Sequence, residues 1–197
     1  MKENKLKEYL TSNMNIDESE IAHFIDSCQT KNVVRGEFLL MENQNCNHTF
    51  FVEKGLLRQY SIDRNGKEHI LSFAPENWFV TDRETTYFGK PSVSYIQALE
   101  DSQVVLIDED LIQLLSGKLP TFSNFNNRLL HNHIRHLHDR IRLLLSASAE
   151  ERYLEFINMY PDIFLRVPQA MVASYLGITP ESLSRVRKKL AAKDTEM

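Results

Sequence analysis

A short polar helical face near the C-terminus carries the side chains best suited to bind another molecule. Glu181, Ser184, Arg185 and Lys188 have spacings that place them on one side of a helix. Arginine can donate two hydrogen bonds to guanine, and a carboxylate can accept one from cytosine N4. The same side chains on an ordinary surface helix would only be solvated, so the interpretation depends on the surrounding sequence.

The surrounding residues predict two short helices joined by a tight turn. Val172 and Leu176 form an apolar i, i+4 pair, and Gly177 can end the first helix because glycine enters left-handed backbone space at little cost. Thr179 can cap the second helix, and Pro180 suits its first position, where no backbone N–H is needed. The stretch therefore predicts a helix-turn-helix.

Charge separates this segment from the rest of the chain. Residues 165–193 contain six Lys or Arg and one Glu, whereas residues 1–164 contain 17 Lys or Arg and 24 Asp or Glu. A basic segment on an acidic protein is typical of a DNA-binding module, because phosphate contacts supply much of the affinity. The residues assigned to phosphate contacts are Thr179, Arg187, Lys188 and Lys189.

Composition indicates a cytoplasmic globular protein. Of 197 residues, 42% are hydrophobic, and no apolar run approaches the roughly 20 residues that cross a bilayer. The charged N-terminus lacks the apolar centre of a signal peptide, so no membrane contact is expected. Cys28 and Cys46 form no CxxC pair, so they provide neither a disulfide framework nor a four-thiolate metal or iron–sulfur site.

Short β-type segments fill the middle of the chain, where apolar residues recur with period two and turn residues divide them. The predicted strands are 32–34, 38–41, 49–53, 56–62, 67–73, 78–80, 94–98 and 103–107. Helices are predicted over 2–12, 17–28 and 109–115. The pattern favours an α+β fold built on an antiparallel double-sheet roll of the jelly-roll kind.

A longer helix is predicted to begin near Pro120 and carries a candidate dimer seam. Its apolar residues alternate at spacings of four and three: Leu130, Ile134, Leu137, Ile141 and Leu144. This is the a/d pattern of a coiled coil, although so short a seam also suits a helix packed against its own barrel. A capping-box pattern at Ser148 and Glu151 begins the next helix.

The same long helix contains four histidines: His131, His133, His136 and His138. Imidazole changes charge near neutral pH and binds zinc when neutral, so these residues could make a dimer interface sensitive to pH or metal. A solvated polar flank is the other interpretation, and no metal site is assigned.

The order of these parts resembles the Crp/Fnr family of bacterial transcription regulators. The residues that carry the resemblance are Phe50-Phe51-Val52-x-x-Gly55-x-x-Arg58, Asn65-Gly66-Lys67-Glu68 and Leu176-Gly177-Ile178-Thr179-x-Glu181-Ser182-Leu183-Ser184-Arg185. The resemblance implies a homodimer that reads a two-fold symmetric operator in double-stranded DNA, with RNA polymerase as a further candidate partner. Glu181, Ser184 and Arg185 match the Fnr-like Glu-x-x-Ser-Arg pattern, which implies that they contact bases.

The implied domains are a cyclic-nucleotide-binding-like roll with its N-terminal helices (1–117), a dimerisation helix (118–147) and a partly winged helix-turn-helix (148–197). Because the chain ends soon after the second helix of the pair, we expect the family's wing to be reduced to one strand near 163–167 or to be absent. Pro180 stands where members of the Crp branch have an arginine, so that readout is not expected.

The roll departs from the pattern of cyclic-nucleotide binders, which have Gly-Glu followed by Arg-Ser or Arg-Thr. The corresponding stretches here are Trp78-Phe79-Val80-Thr81-Asp82 and Gly89-Lys90-Pro91-Ser92-Val93-Ser94. Burying a phosphate without a compensating cation is costly, so a cyclic nucleotide is not expected as a cofactor. If the roll holds an effector, the candidate lining residues are Phe73, Trp78, Arg83, Ser92 and Ser94.

Two other classes of function stay open. One is a protein that binds a cyclic nucleotide or other small ligand and uses its helix pair to contact a protein, which the basic segment disfavours. The other is a cupin-like metalloenzyme, which needs histidines and a carboxylate on barrel strands. The roll offers only His48 and His69. With no recognisable nucleophile and base, no catalytic residue is assigned and no enzyme is expected.

Overall fold

Two antiparallel four-stranded sheets and a series of helices make up the computed structural model, which describes residues 4–195. The strands are β1 Gln29–Val33, β2 Phe38–Leu40, β3 His48–Lys54, β4 Leu57–Ile62, β5 Glu68–Ala74, β6 Phe79–Val80, β7 Tyr95–Ala98 and β8 Ser102–Asp108. The helices are α1 Lys5–Met14, α2 Glu18–Asp26, α3 Arg83–Phe88, α4 Glu109–Lys118, α5 Pro120–Ser146, α6 Ala149–Met159, α7 Ile163–Arg166, α8 Gln169–Leu176 and α9 Pro180–Thr195.

The strand orders are β1-β8-β3-β6 in one sheet and β2-β7-β4-β5 in the other. Every predicted strand overlaps an observed one, and the α+β class with an antiparallel roll is confirmed. The first predicted helix is also found, although Lys2 and Glu3 lie outside the described residues.

Strand β3 shows why the roll has two cores. Phe50 and Val52 face the opposite sheet and belong to a buried cluster with members from all eight strands. Phe51 points the other way, into a second cluster with apolar residues of α1, α2 and α5. Since successive strand residues point to opposite faces, a sheet covered on both sides needs a continuous apolar run such as this one.

The chain separates into two compact units. One contains residues 1–62 and 71–131, and the other contains residues 63–70 and 132–197. The boundary therefore falls within α5, and the turn between β4 and β5 is grouped with the C-terminal helices. The three-part division at residues 117 and 147 stays a prediction.

Hydrogen bonds within the second unit explain the grouping of that turn. Ser174 Oγ on α8 lies 3.1 Å from both Ile70 N and Glu68 O. Arg140 Nη2 on α5 donates to Ile70 O at 2.8 Å and to Tyr175 O at 3.2 Å. One arginine thus bridges the turn and α8.

Two short helices are missing from the sequence-based prediction. Helix α3 follows Asp82, whose carboxylate accepts hydrogen bonds from the N–H groups of Glu84 and Thr85, and it ends at Gly89 with φ 62°. The second, α7, occupies the position where a reduced wing strand was expected.

The strand near residues 163–167, one of the two alternatives for the wing, is not found: no strand occurs among the described residues from 148 to 195. A lone strand would leave its backbone groups without partners. Instead, Leu165 N donates to Asp162 O at 3.1 Å, and Val167 N donates to Ile163 O at 3.1 Å. A local helical turn therefore satisfies the backbone that an isolated strand could not.

Within residues 4–195, no helix is both long enough and apolar enough to cross a membrane.

Candidate nucleic-acid interface

The turn between α8 and α9 depends on a glycine for both backbone and space. Gly177 has φ 66° and ψ 34°, the left-handed region that glycine enters most readily. A Cβ at this position would lie 3.1 Å from Leu144 Cδ2 and 3.4 Å from Arg152 Nη1. The adjacent N–H of Ile178 closes the turn by donating to Ala173 O at 3.0 Å. The sequence-based assignment of Gly177 as the end of α8 is confirmed.

Thr179 caps α9, as its position in the sequence predicts. Its Oγ1 accepts a hydrogen bond from Ser182 N at 3.2 Å, and its carbonyl accepts one from Leu183 N at 3.0 Å. Pro180 is the first helical residue, where a missing N–H costs nothing. The hydroxyl assigned to a phosphate contact therefore also holds the start of α9.

The three predicted base-reading residues lie together on the exposed side of α9. Glu181, Ser184 and Arg185 are all exposed, whereas Leu183 between them is fully buried. Arg185 Nη2 donates to Ser182 Oγ at 3.1 Å. Hydrogen bonds from its own backbone N–H and from the Thr179 hydroxyl lower the pKa of the Glu181 carboxyl, so Glu181 is an anion at neutral pH. The face thus presents an acceptor and a cationic donor side by side.

The cations assigned to phosphates have different surroundings. Lys188 is exposed on the same side as Arg185. The Arg187 guanidinium is half-buried and lies 4.3 Å from the centre of the Phe164 ring. Lys189 Nζ lies 2.6 Å from Glu150 Oε2 at the start of α6. Lys188 therefore lies exposed beside the predicted base-reading residues, while the other two cations have protein partners.

Glu150 is a residue that sequence reasoning missed. Its second oxygen, Oε1, lies 2.8 Å from Lys193 Nζ, so one carboxylate holds two cations of α9. Hydrogen bonds from Lys189 and then Lys193 lower the pKa of Glu150 to about 2. No local pattern could reveal the pairing, because 39 residues separate Glu150 from Lys189.

An aromatic cluster holds α8 in place for this interface. Phe156 and Tyr160 of the α6 segment lie 5.4 Å and 5.8 Å from the Tyr175 ring, centre to centre. The Arg140 guanidinium stacks 3.9 Å from the centre of the same ring. Arg152 Nη1 donates to Leu176 O at 2.7 Å, which supports the last turn of α8. These contacts fix the helix that precedes the reading face.

The candidate dimer seam on α5 is largely exposed. The exposed fractions are 48% for Ile134, 42% for Leu137, 53% for Ile141 and 41% for Leu144. Leu130 is half-buried. A stripe packed against its own barrel would be buried throughout, so this exposure favours the coiled-coil interpretation.

The four helical histidines differ in burial. His131, His133 and His138 are exposed, as a polar flank requires. His136 is partly buried, and burial, followed by the charge of Arg140, lowers its pKa. No group of three or more His, Cys, Asp or Glu side chains within the described part of the chain could hold a metal ion.

A buried carboxylate occupies the region of the roll where a phosphate-binding cassette would lie. Asp82 Oδ2 accepts hydrogen bonds from Ser92 Oγ at 2.6 Å and Ser94 Oγ at 2.7 Å. Asp82 Oδ1 accepts from Glu84 N at 3.0 Å and Thr85 N at 3.4 Å. The structure thus brings two of the five candidate effector residues together, around an aspartate that the sequence analysis did not select.

The other three candidate effector residues are not part of this network. Phe73 is fully buried, and Trp78 packs on the core between the sheets. Arg83 lies on α3, with its guanidinium 5.4 Å from the centre of the Tyr87 ring.

A second arginine of the roll, Arg58, was not among the candidates. It is buried and donates from Nε and Nη2 to Gln97 Oε1 at 3.0 Å and 2.7 Å.

The cysteines and the roll histidines show no arrangement typical of catalysis. Burial raises the pKa of the Cys28 thiol to about 11 and also raises the pKa of Cys46. Thiols with raised pKa values are poor nucleophiles. His48 Nδ1 lies 2.7 Å from Asp108 Oδ1, whereas His69, in the other unit, lies beside Asp63.

Comparison with known proteins agrees with this architecture. Residues 30–117 match the cyclic nucleotide-binding domain family. The anaerobic regulatory protein of Pasteurella multocida is 29% identical over 171 residues, which cover 81% of this chain and 62% of that protein. The fumarate and nitrate reduction regulatory protein of Vibrio cholerae is 27% identical over 183 residues, covering 87% and 72%. The resemblance of the chain to regulators of the Crp/Fnr family is therefore confirmed.

A solved Crp/Fnr-type structure agrees on the fold. FixK2 from Bradyrhizobium japonicum superposes with a TM-score of 0.73 at 19% identity, over 85% of this chain and 86% of that one. The match supports the roll followed by a helix-turn-helix. The chain spans less than two thirds of the length of the Pasteurella multocida relative.

Proposed function

We propose that this Crp/Fnr chain is a sequence-specific transcription regulator that binds double-stranded DNA through α9. The observation that carries the proposal is the exposed face of Glu181, Ser184 and Arg185, next to Lys188, on a helix begun by a glycine turn and a threonine cap. Relatives named as regulatory proteins support the same role. The proposed DNA-binding role implies that the protein works in the cytoplasm, where bacterial DNA lies.

The face has the chemistry needed to read base edges in the major groove. Arg185 can donate two hydrogen bonds to guanine O6 and N7, and the ionised Glu181 can accept from cytosine N4. Ser184 can donate or accept, and Lys188 can neutralise a phosphate without reading sequence. The proposed site therefore combines contacts to DNA bases with a contact to the DNA phosphate backbone on two turns of one helix.

We further propose that the protein binds as a homodimer. The apolar stripe on α5 supports this, because two copies pairing through it would remove that surface from water. Two copies related by a two-fold axis would place their α9 helices in successive major grooves, roughly 34 Å apart. The contact with RNA polymerase that the resemblance implies stays a prediction.

Selection from a library of random duplexes would test this function. Repeated capture by the purified protein should enrich a two-fold symmetric sequence whose half-sites lie about 10 base pairs apart, centre to centre, because each α9 reads one half-site. Recovery of duplexes without any shared sequence would contradict a base-reading role. Enrichment of an asymmetric sequence would contradict the dimer.

We infer that the roll does not take a cyclic nucleotide. The ligand's phosphate would meet the buried Asp82 carboxylate, whose like charge repels it in a medium of low dielectric constant. The donors that could stabilise a phosphate there, Ser92 and Ser94 together with the first N–H groups of α3, already bind Asp82. These residues do not fit the group for which the domain family is named.

We also infer that the protein is not an enzyme. His48 and His69 belong to no group of three or more His, Cys, Asp or Glu side chains that could hold a metal ion among the described residues. Each instead has its own carboxylate neighbour, Asp108 or Asp63.

A further inference from the structure

Glu150 contacts the two cations nearest the C-terminal end of α9. Its carboxylate lies in the first turn of α6, with Oε2 2.6 Å from Lys189 Nζ and Oε1 2.8 Å from Lys193 Nζ. The side chain of Glu150 is only 23% exposed, whereas those of Lys189 and Lys193 are 62% and 56% exposed. Both oxygens of one anion are therefore occupied by the helix that carries the reading face.

The position of these cations matters for DNA binding. Lys189 follows Arg185 by four residues and Lys193 follows Lys189 by four, so the three side chains form one row along α9. A row of cations beside a base-reading arginine is well placed to neutralise phosphates of any sequence. Each neutralised phosphate adds affinity for all duplexes alike, because counterions are released.

We propose that Glu150 competes with DNA phosphates for Lys189 and Lys193, and so limits the sequence-independent affinity that α9 contributes. By holding both ammonium groups, it lowers affinity for every duplex while leaving Glu181, Ser184 and Arg185 available to read bases. Base recognition then supplies a larger share of the free energy of operator binding. The proposal rests on the DNA-binding function proposed above.

The contact weakens phosphate binding without preventing it. Charge-assisted hydrogen bonds to a carboxylate resemble those that a phosphate would receive, so the two anions compete for the same donors. The lowered pKa of Glu150 keeps the carboxylate ionised throughout the neutral range. Since exposed ion pairs are weak, DNA can still recruit these lysines at low salt.

The test compares Glu150→Gln with the unchanged protein on a selected operator and on a random duplex. Fluorescence anisotropy at several salt concentrations gives both affinities and the slope of log affinity against log salt. We expect Glu150→Gln to bind the random duplex about 3- to 30-fold more tightly at low salt, with a slope steeper by about one to two. The operator should gain affinity by a similar factor, because phosphate contacts do not depend on sequence. An unchanged slope and unchanged affinities would overturn the proposal.

Glu155→Gln is the matched control, since it removes the same charge from an exposed position on the same helix. Its slope should stay close to that of the unchanged protein; an equal steepening would mean that net charge alone acts. Adding Lys189→Ala and Lys193→Ala to Glu150→Gln should cancel the gain. Persistence of the gain in that triple variant would also overturn the proposal.

The two proposals fail in distinguishable ways. If the unchanged protein selects no operator, the DNA-binding function is wrong, whatever Glu150→Gln does. If it selects an operator and Glu150→Gln changes neither the salt slope nor the affinities, only the role of Glu150 is wrong. Circular dichroism and thermal melting of each variant show whether α6 and α9 stay folded, and a folded Glu150→Gln protein keeps the test decisive.

Discussion

At position 82 the roll carries a buried carboxylate, and this single side chain supports the proposal that the domain does not hold a cyclic nucleotide. Asp82 is buried and accepts hydrogen bonds from two serines and two backbone N–H groups. Asp82 ends the stretch that corresponds in sequence to the phosphate-binding cassette of cyclic-nucleotide binders. Its role could not be predicted, because Ser92 and Ser94 reach it only through the fold.

We expect Asp82→Asn to lower the melting temperature of the protein. An amide cannot accept all four hydrogen bonds, and unsatisfied buried groups cost about 1–3 kcal/mol. Thermal melting measures the loss, with Asp110→Asn on the exposed start of α4 as the matched surface control. Calorimetric titration of the unchanged protein with cyclic AMP should give no binding heat. Tight binding of cyclic AMP by the unchanged protein would refute the proposal that the roll excludes a cyclic nucleotide.

The reading residues were accessible to sequence reasoning because they depend on local structure. Gly177, Thr179 and Pro180 define where α9 begins, and helical periodicity then places Glu181, Ser184 and Arg185 on one side. The pairing of Glu150 with α9 was not accessible in this way. It depends on how α6 packs beside α9, which no spacing within either helix contains.

Among the elements, α5 has the clearest sequence pattern and the least covered apolar face. Its 4-3 spacing predicts a seam, and the exposure of Ile134, Leu137 and Ile141 agrees with that interpretation. The strands were also predictable, because two buried faces impose apolar runs between turn residues. The short helix α7 was not predictable in this way, since residues 163–166 satisfy their backbone hydrogen bonds in a single helical turn.

Ile141→Glu should convert the protein from a dimer to a monomer. A charge placed in the seam would be buried without a partner, at a cost of several kcal/mol, so the dimer dissociation constant should rise by about 100-fold or more. Light scattering coupled to size exclusion measures the mass at several concentrations. Arg135→Glu, which introduces the same residue at an exposed position outside the seam, should leave the mass unchanged. A dimer that survives Ile141→Glu would place the interface elsewhere.

Across the whole molecule, the order of the parts was predictable and their grouping was not. The sequence indicates a roll, a long helix and a helix-turn-helix, and all three are found. The turn at residues 63–70 nevertheless belongs to the same compact unit as α8, through hydrogen bonds to Ser174 and Arg140. Such contacts join residues 104 and 70 positions apart, beyond the reach of periodicity or turn signals.

The division of charge also belongs to the whole molecule. Cations concentrate in residues 165–193 while the remainder is acidic, which favours approach of DNA to one region. The structure refines this picture, because Lys189 and Lys193 share Glu150 and Arg187 stacks on Phe164. Lys188 is therefore the cation most directly available beside the reading residues.

Arg185→Ala tests whether α9 reads DNA bases. Affinity for the selected operator and for a random duplex is measured for each variant over the same series of salt concentrations. We predict an operator loss of about 1–3 kcal/mol and relaxed base preference, with a much smaller loss on random DNA. Lys188→Ala, the matched control, should weaken both duplexes alike and flatten the salt slope by about one. If Arg185→Ala loses as much affinity for random DNA as for the operator, Arg185 does not read bases.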